Sequence, residues 1–232
     1  MFAKAITPPR CNNGEQEPYW FDYIADTGDG MCAVYNIAYL CMSDLWLKNG
    51  EVIGEKQVAL KQTGEFNQRL PRGEFLFVGG DTSYHVADVA SLKERFQTPF
   101  NWAYVDITTT TGKKIEQRPI YGIPANHDYY DALDGFNRQF CSPITQDIHS
   151  LVREQEDLKD PQLGLYGFKR EQQSSYVALR LPFGWQLWGL DSQDGKMDKR
   201  QQAFFVGQFC DKLIKDGSLF DDAKIEEVQT TL

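Results

Sequence analysis

A chain of 232 residues with 41% apolar and 13% aromatic residues lies far from the low-hydrophobicity, high-charge corner where chains stay unfolded, and it is long enough for one large domain. Its formal net charge of −9, with no cluster of Lys and Arg, argues against a nucleic-acid partner, because binding a phosphodiester backbone takes a basic footprint. Five cysteines, Cys11, Cys32, Cys41, Cys141 and Cys210, are odd in number and form no C-x-x-C pair, which leaves them as core or free thiols rather than zinc or redox centres.

Residues 1–18 are polar, contain Pro and show no apolar h-region, so they read as a lead-in rather than as an element. The longest weakly polar run, 31–42, is shorter than the roughly 20 residues that span a bilayer, and a soluble, cytoplasmic protein with no membrane partner is expected. From Tyr19 the aromatic and β-branched run YWFDYIAD predicts a strand ending at Asp26, and Val34, Ile37, Ala38, Cys41 and Leu45 then recur at helical spacing. GEFLFVGGD (73–81) predicts a second, buried strand, followed by a helix over 87–96. RPIYGIPANHD (118–128) predicts a third strand and loop, followed by a helix-like stretch through Phe140. Strands alternating with helices predict an α/β fold with a mostly parallel sheet covered on both faces.

Beyond this, 174–192 reads as two β-runs around Pro182-Phe183-Gly184, a hairpin, and 197–216 as an amphipathic helix. Two polar stretches, 48–72 and 141–173, interrupt the rhythm and are expected to be insertions with local structure of their own. The expected organisation is thus a lead-in over 1–18, one domain over 19–215 carrying both insertions, and a loose end over 216–232.

Three times an apolar strand runs into a short loop holding an oxygen-rich or imidazole side chain: Asp26, Asp81, and Asn126-His127-Asp128. In parallel sheets ligands bind outside the carboxyl ends of the strands, so the three loops should share one rim. Carboxylates brought together there repel, and a divalent cation is the natural compensation. Oxygen donors with an Asn carbonyl suit Mg, Mn, Fe or Zn.

These residues resemble the calcineurin-like metallophosphoesterases, and most closely the motif pattern of the purple acid phosphatases. Ala25-Asp26-Thr27-Gly28 stands for that family's G-D-x-G, Gly80-Asp81-Thr82-Ser83-Tyr84 matches its G-D-x-x-Y, and Ala125-Asn126-His127-Asp128 stands for its G-N-H-[DE]. The resemblance implies that Asp26 and Tyr84 bind one metal ion, Asp81 bridges two, Asn126 binds the second, and His127 contacts the phosphate and assists the leaving group. The cofactors implied are two divalent or trivalent ions, Fe, Mn or Zn, and the substrate implied is a small phosphate mono- or diester. The family's layered β-sheet core with helices outside is the fold implied.

The departures are equally specific. The family completes its site with V-x-x-H and G-H-x-H, whereas the histidines here are His85, His127 and His149, so the later ligands and the C-terminal part of the family fold are missing over the stretch that the resemblance covers, 19 to about 215. Gly28 replaces the histidine that most non-purple relatives carry, which makes Tyr84 the substitute ligand. Each residue also has an ordinary reading: Asp26 and Asp81 as helix N-caps, Asn126 as a turn residue, Tyr84 as packing, Asp29 as a solvated or capping residue, and Asp191 as a structural strand-end residue. A metal-dependent phosphoesterase is therefore expected, against two alternatives: a catalytically silent relative or interaction module, and a domain holding a single metal. An oligomer or a partner chain would complete the fold.

Overall fold

A computed structural model of the chain describes residues 4–5, 18–48, 66–141, 163–193 and 195–215. Most of both expected insertions, and the expected loose end at 216–232, lie outside the described residues. The chain divides into two compact units, Pro18–Ser175 and, separately, Met1–Glu17 with Tyr176–Leu232. The first strand, β1 (Lys4–Ala5), belongs to the second of these.

In the larger unit β2 (Asp22–Ile24) leads into α1 (Met31–Cys41), whose Val34, Ala38 and Cys41 are buried at the spacing that the sequence shows. Leu45 does not continue that helix. The Met42 N–H closes back on the Ala38 carbonyl, and the Asp44 carboxylate accepts from the Arg72 backbone N–H at 3.0 Å and from Arg69 Nε at 2.9 Å. Leu45 thereby opens β3 (Leu45–Lys48), which pairs antiparallel with β4 (Phe66–Leu70) in a two-stranded ribbon.

Next come β5 (Leu76–Val78) and α2 (Val89–Leu92), the latter capped by Asp88, whose side chain accepts from the Ser91 N–H. The helix does not stop near residue 96 as the sequence predicts. It passes through a π-helical turn, Lys93–Gln97, into α3 (Thr98–Thr111), which ends at Gly112 in the left-handed region. The π turn directly precedes Pro99, which has no N–H to donate to the preceding turn. Then follow β6 (Arg118–Gly122), a 3-10 turn at Asn126–Tyr129, α4 (Asp134–Phe140) and β7 (Phe168–Arg170). The chain turns at Ala132 and Leu133, both with positive φ, before α4 begins, and the Asp131 carboxylate accepts the Gly135 N–H at 2.8 Å.

The four strands form one parallel sheet in the order β2-β5-β6-β7. This is the α/β layout expected, with one difference: the described helices of this unit pack on one face only. Leu76, Val78 and Ile120 point into the cluster built by α1, α2, α3 and α4, together with Phe96, Phe100, Phe136 and Phe140. Because strand order advances in one direction without reversing, right-handed crossovers carry every connecting helix to the same side. The alternate residues form an aromatic layer on the other face, where Phe21 stacks on Phe75 at 5.0 Å, Tyr23 on Phe77 at 6.2 Å, and Tyr121 meets Phe75 edge-on.

The smaller unit holds the expected hairpin, β8 (Val177–Arg180) and β9 (Gln186–Gly189), around Pro182–Gly184. Contrary to the reading of 1–18 as featureless, β1 adds to it in parallel, with Lys4 opposite Leu179 and Ala5 opposite Arg180. Helix α5 (Lys199–Lys215) lays Phe204 and Phe205 against Tyr176 and Trp188, and Gln201 bonds both the N–H and the carbonyl of Asp191. The backbone of Asp191, two residues past β9, is thus tied to α5. Among the described residues no helix is long and apolar enough to cross a membrane.

Candidate functional site

The carboxyl ends of β2, β5 and β6 are tied to one another strand by strand. The Gly79 N–H bonds the Ile24 carbonyl at 2.7 Å, the Asp26 N–H the Gly80 carbonyl at 3.2 Å, and the Ile123 N–H the Val78 carbonyl at 3.0 Å. The loops that leave them then press together, and two glycines make that approach feasible. A Cβ on Gly28 would lie 2.7 Å from the Ser83 backbone, and one on Gly80, where φ is +93°, would lie 2.5 Å from the Ala125 nitrogen.

Asp26 and Asp81 both sit in the left-handed region, with φ of 54° and 52°. Aspartate tolerates that region better than most residues, yet such conformations cost on the order of 1–3 kcal/mol and gather at functional sites. Both lie just past the carboxyl ends of their strands, Asp26 exposed and Asp81 buried.

Side chains from the three loops meet there. The Tyr84 hydroxyl donates to Asp26 Oδ1 at 2.9 Å, and the Tyr84 ring packs edge-on against the His127 imidazole with centroids 4.7 Å apart. Asp81 Oδ1 accepts the His127 backbone N–H at 3.2 Å. Asp26, Asp81, Tyr84 and His127 are therefore brought together, and Asn126 sits beside them with an exposed side chain at the start of the 3-10 turn. Asp29 is exposed in the turn after Asp26.

Desolvation raises the Tyr84 hydroxyl to about 12, helped by its hydrogen bond to Asp26 and by the Asp81, Asp26 and Asp29 charges, so the phenol is neutral and donates. Burial also raises the Asp128 carboxyl, reinforced by the Asp81 and Asp131 charges and opposed by N–H groups of Ala125 and Asp81. The hydroxyls of Thr27, Thr82 and Ser83, just after the two aspartates in sequence, are buried without a hydrogen-bond partner among the described residues.

Three contributors carry no strong local signal in the sequence. Arg95 donates to the Tyr84 carbonyl from the π turn, one helix away. The His85 carbonyl accepts from His127 Nδ1, which fixes the ring and leaves Nε2 as the other ring nitrogen; the sequence marks His85 only as a residue beside the site. Tyr130 also packs edge-on against His127, at 5.2 Å.

As a metal site the arrangement offers two carboxylates, a phenol and a carboxamide, all oxygen donors of the kind hard cations take. Among the described residues, no three His, Cys, Asp or Glu side chains form a metal-binding group, and two of the four donors named here are of other types. The donor set fits one cation at Asp26, Tyr84 and Asp81, and is thin for a second at Asp81 and Asn126. His149 lies outside the described residues. Compared with protein-family models, with curated proteins and with solved structures, the chain matches none.

Proposed function

We propose that this rim is a metal-dependent phosphoesterase site, acting on a phosphate mono- or diester. The observation that carries the reading is the meeting of Asp26, Asp81, Tyr84 and His127, from three successive strand-end loops, with both aspartates in strained backbone conformations. Ions such as Fe, Mn or Zn held by Asp26, Tyr84, Asp81 and Asn126 would supply positive charge to the phosphoryl oxygens and activate the attacking water. Asp26 and Asp81 would hold that charge at the rim, and Tyr84 would ligate as a phenolate, its hydroxyl proton passing to solvent. His127, its Nδ1 anchored on the His85 carbonyl, has Nε2 to protonate the leaving oxygen as the ester P–O bond breaks.

The test is Mn²⁺ titration of the chain by calorimetry, followed by turnover of an aryl phosphate. Asp81→Asn should weaken Mn²⁺ binding more than Asp26→Asn, because the bridging carboxylate serves both positions. Equal losses would count against a shared centre, and no binding by the parent would remove the reading. A second reading, a catalytically silent domain that keeps the fold, is favoured by the finding that no three His, Cys, Asp or Glu side chains among the described residues form a metal-binding group. Metal binding without turnover would select it, and turnover lost on Asp81→Asn would exclude it.

A further inference from the structure

Asp128 belongs to the motif of the third loop, yet it faces away from the chemistry. Its side chain is fully buried, and Oδ2 accepts two backbone N–H groups, from Asp81 at 3.0 Å and from Ala125 at 2.9 Å. The second bond is ordinary: an acidic residue at the third position of a helical turn reaching back to the residue that starts it. The first is not local, since Asp81 lies 47 residues earlier, in the loop after the neighbouring strand. Asp81 returns the contact by accepting the His127 N–H, and the His127 carbonyl accepts from Ala87. One buried oxygen therefore holds the loop of Asp81 against the loop of Asn126 and His127. The other, Oδ1, is buried and has no hydrogen-bond partner among the described residues.

We propose that Asp128 is a positioning residue, whose buried carboxylate oxygen fixes Asp81 relative to Asn126 and His127 through two backbone hydrogen bonds, so that its acceptor geometry and not its charge is what the rim requires. With its side chain fully buried, the residue acts through the backbone, holding Asp81 in the left-handed conformation, which one misplaced N–H would release. An asparagine could accept both N–H groups through its single carbonyl oxygen, and with Oδ1 unbonded no partner needs the second oxygen.

In linking the tie to metal affinity, the proposal rests on the phosphoesterase reading, but the tie can be measured without it. Amide hydrogen exchange at Asp81 and Ala125 in the full chain should quicken in Asp128→Ala and return most of the way to the parent rate in Asp128→Asn. Mn²⁺ affinity should fall on the order of 10–100-fold in Asp128→Ala, the usual cost of losing a supporting residue, and recover in Asp128→Asn. Asp81→Asn should show the opposite split, with protection kept and Mn²⁺ lost. Unchanged exchange in Asp128→Ala, or an Asn variant that behaves like Ala, would overturn the proposal. If Asp128→Ala does not fold, Asp128→Asn alone decides, and a loss of Mn²⁺ as deep as that of Asp81→Asn refutes it. If the parent binds no Mn²⁺, the phosphoesterase reading falls, and the exchange rates still decide whether Asp128 makes the tie.

Discussion

Strand β2 carries an aspartate near each end, and the two live in different worlds. Asp22, at the amino end of the sheet, is half-buried and accepts the Gly73 N–H at 3.1 Å beside two arginines. Those arginines are committed to structure: Arg72 donates to the carbonyls of Cys41, Glu116 and Gly167 and lies over the Phe168 ring, while Arg118 donates to the carbonyls of Arg72 and Gly73. Asp26, at the carboxyl end, is exposed, held at positive φ, and accepts from the Tyr84 phenol. One end of the sheet has its charges closed off by backbone partners, and the other presents oxygen ligands. The residues that tie the backbone and those of the proposed site are thereby separated along a strand of three residues.

The largest effect expected at the open end is on chemistry. If the rim turns over an aryl phosphate, His127→Ala should lower kcat on the order of 10²–10⁴-fold with metal content nearly unchanged, as expected for a proton donor outside the ligand set. Metal loss in that variant, read by elemental analysis, would move His127 among the ligands. At the closed end the comparable change is Arg72→Met. It keeps volume but removes three donors from main-chain carbonyls, each worth roughly 1–3 kcal/mol if left unpaired, so the unfolding free energy from urea titration should drop by about 3 kcal/mol or more. Asp26→Asn should leave that free energy within about 0.5 kcal/mol. A similar loss from both would erase the distinction between the two ends.

A smaller effect tests how the loops meet. Gly28→Ala places a Cβ against the Ser83 backbone, and the first two loops must separate. The expected cost is about 1–3 kcal/mol, as for overpacking, with a parallel loss of Mn²⁺ affinity because Asp26 moves from Tyr84. Stability lost without any change in Mn²⁺ binding would show that Asp26 and Tyr84 need no contact to hold a cation.

Much of this contrast is legible in the sequence, and the rest is hidden for definable reasons. The strand-end positions of Asp26, Asp81 and Asn126-His127 follow from apolar runs broken by Gly and Asp, and the parallel sheet follows from their alternation with helical stripes. Leu45 is misread because its spacing continues α1, while Asp44, whose two arginine bonds redirect the chain, leaves no periodic trace. Helix α3 is masked by Pro99 and by four consecutive threonines, residues with poor helix propensity; packing of Phe100, Ala103 and Ile107 overrides it. Coverage of one face instead of two depends on strand order, which no local pattern encodes. Arg95 and the His85 carbonyl act through main-chain bonds, where side-chain chemistry gives no hint.

The smallest effect is one of pH, and it asks whether the closed end is held by charge at all. Burial raises the Asp22 carboxyl above its ordinary value near 3.8, outweighing the Gly73 N–H, Arg72 and Arg118, which all pull it down. A raised folded pKa means that ionised Asp22 costs stability wherever the pH lies above that value, and the cost disappears as pH falls toward the unfolded value, about 3.9. Asp22→Asn removes the cost and keeps an acceptor for the Gly73 N–H. Relative to the parent, the variant should therefore fare best at pH 7 and converge on it as the pH falls to about 4. Urea midpoints of both proteins at the two pH values measure this. The reverse trend, a variant that loses more at pH 7 than at pH 4, would mean that the arginines win over burial, and that the amino end of the sheet is bound by an ion pair as well as by its backbone carbonyls.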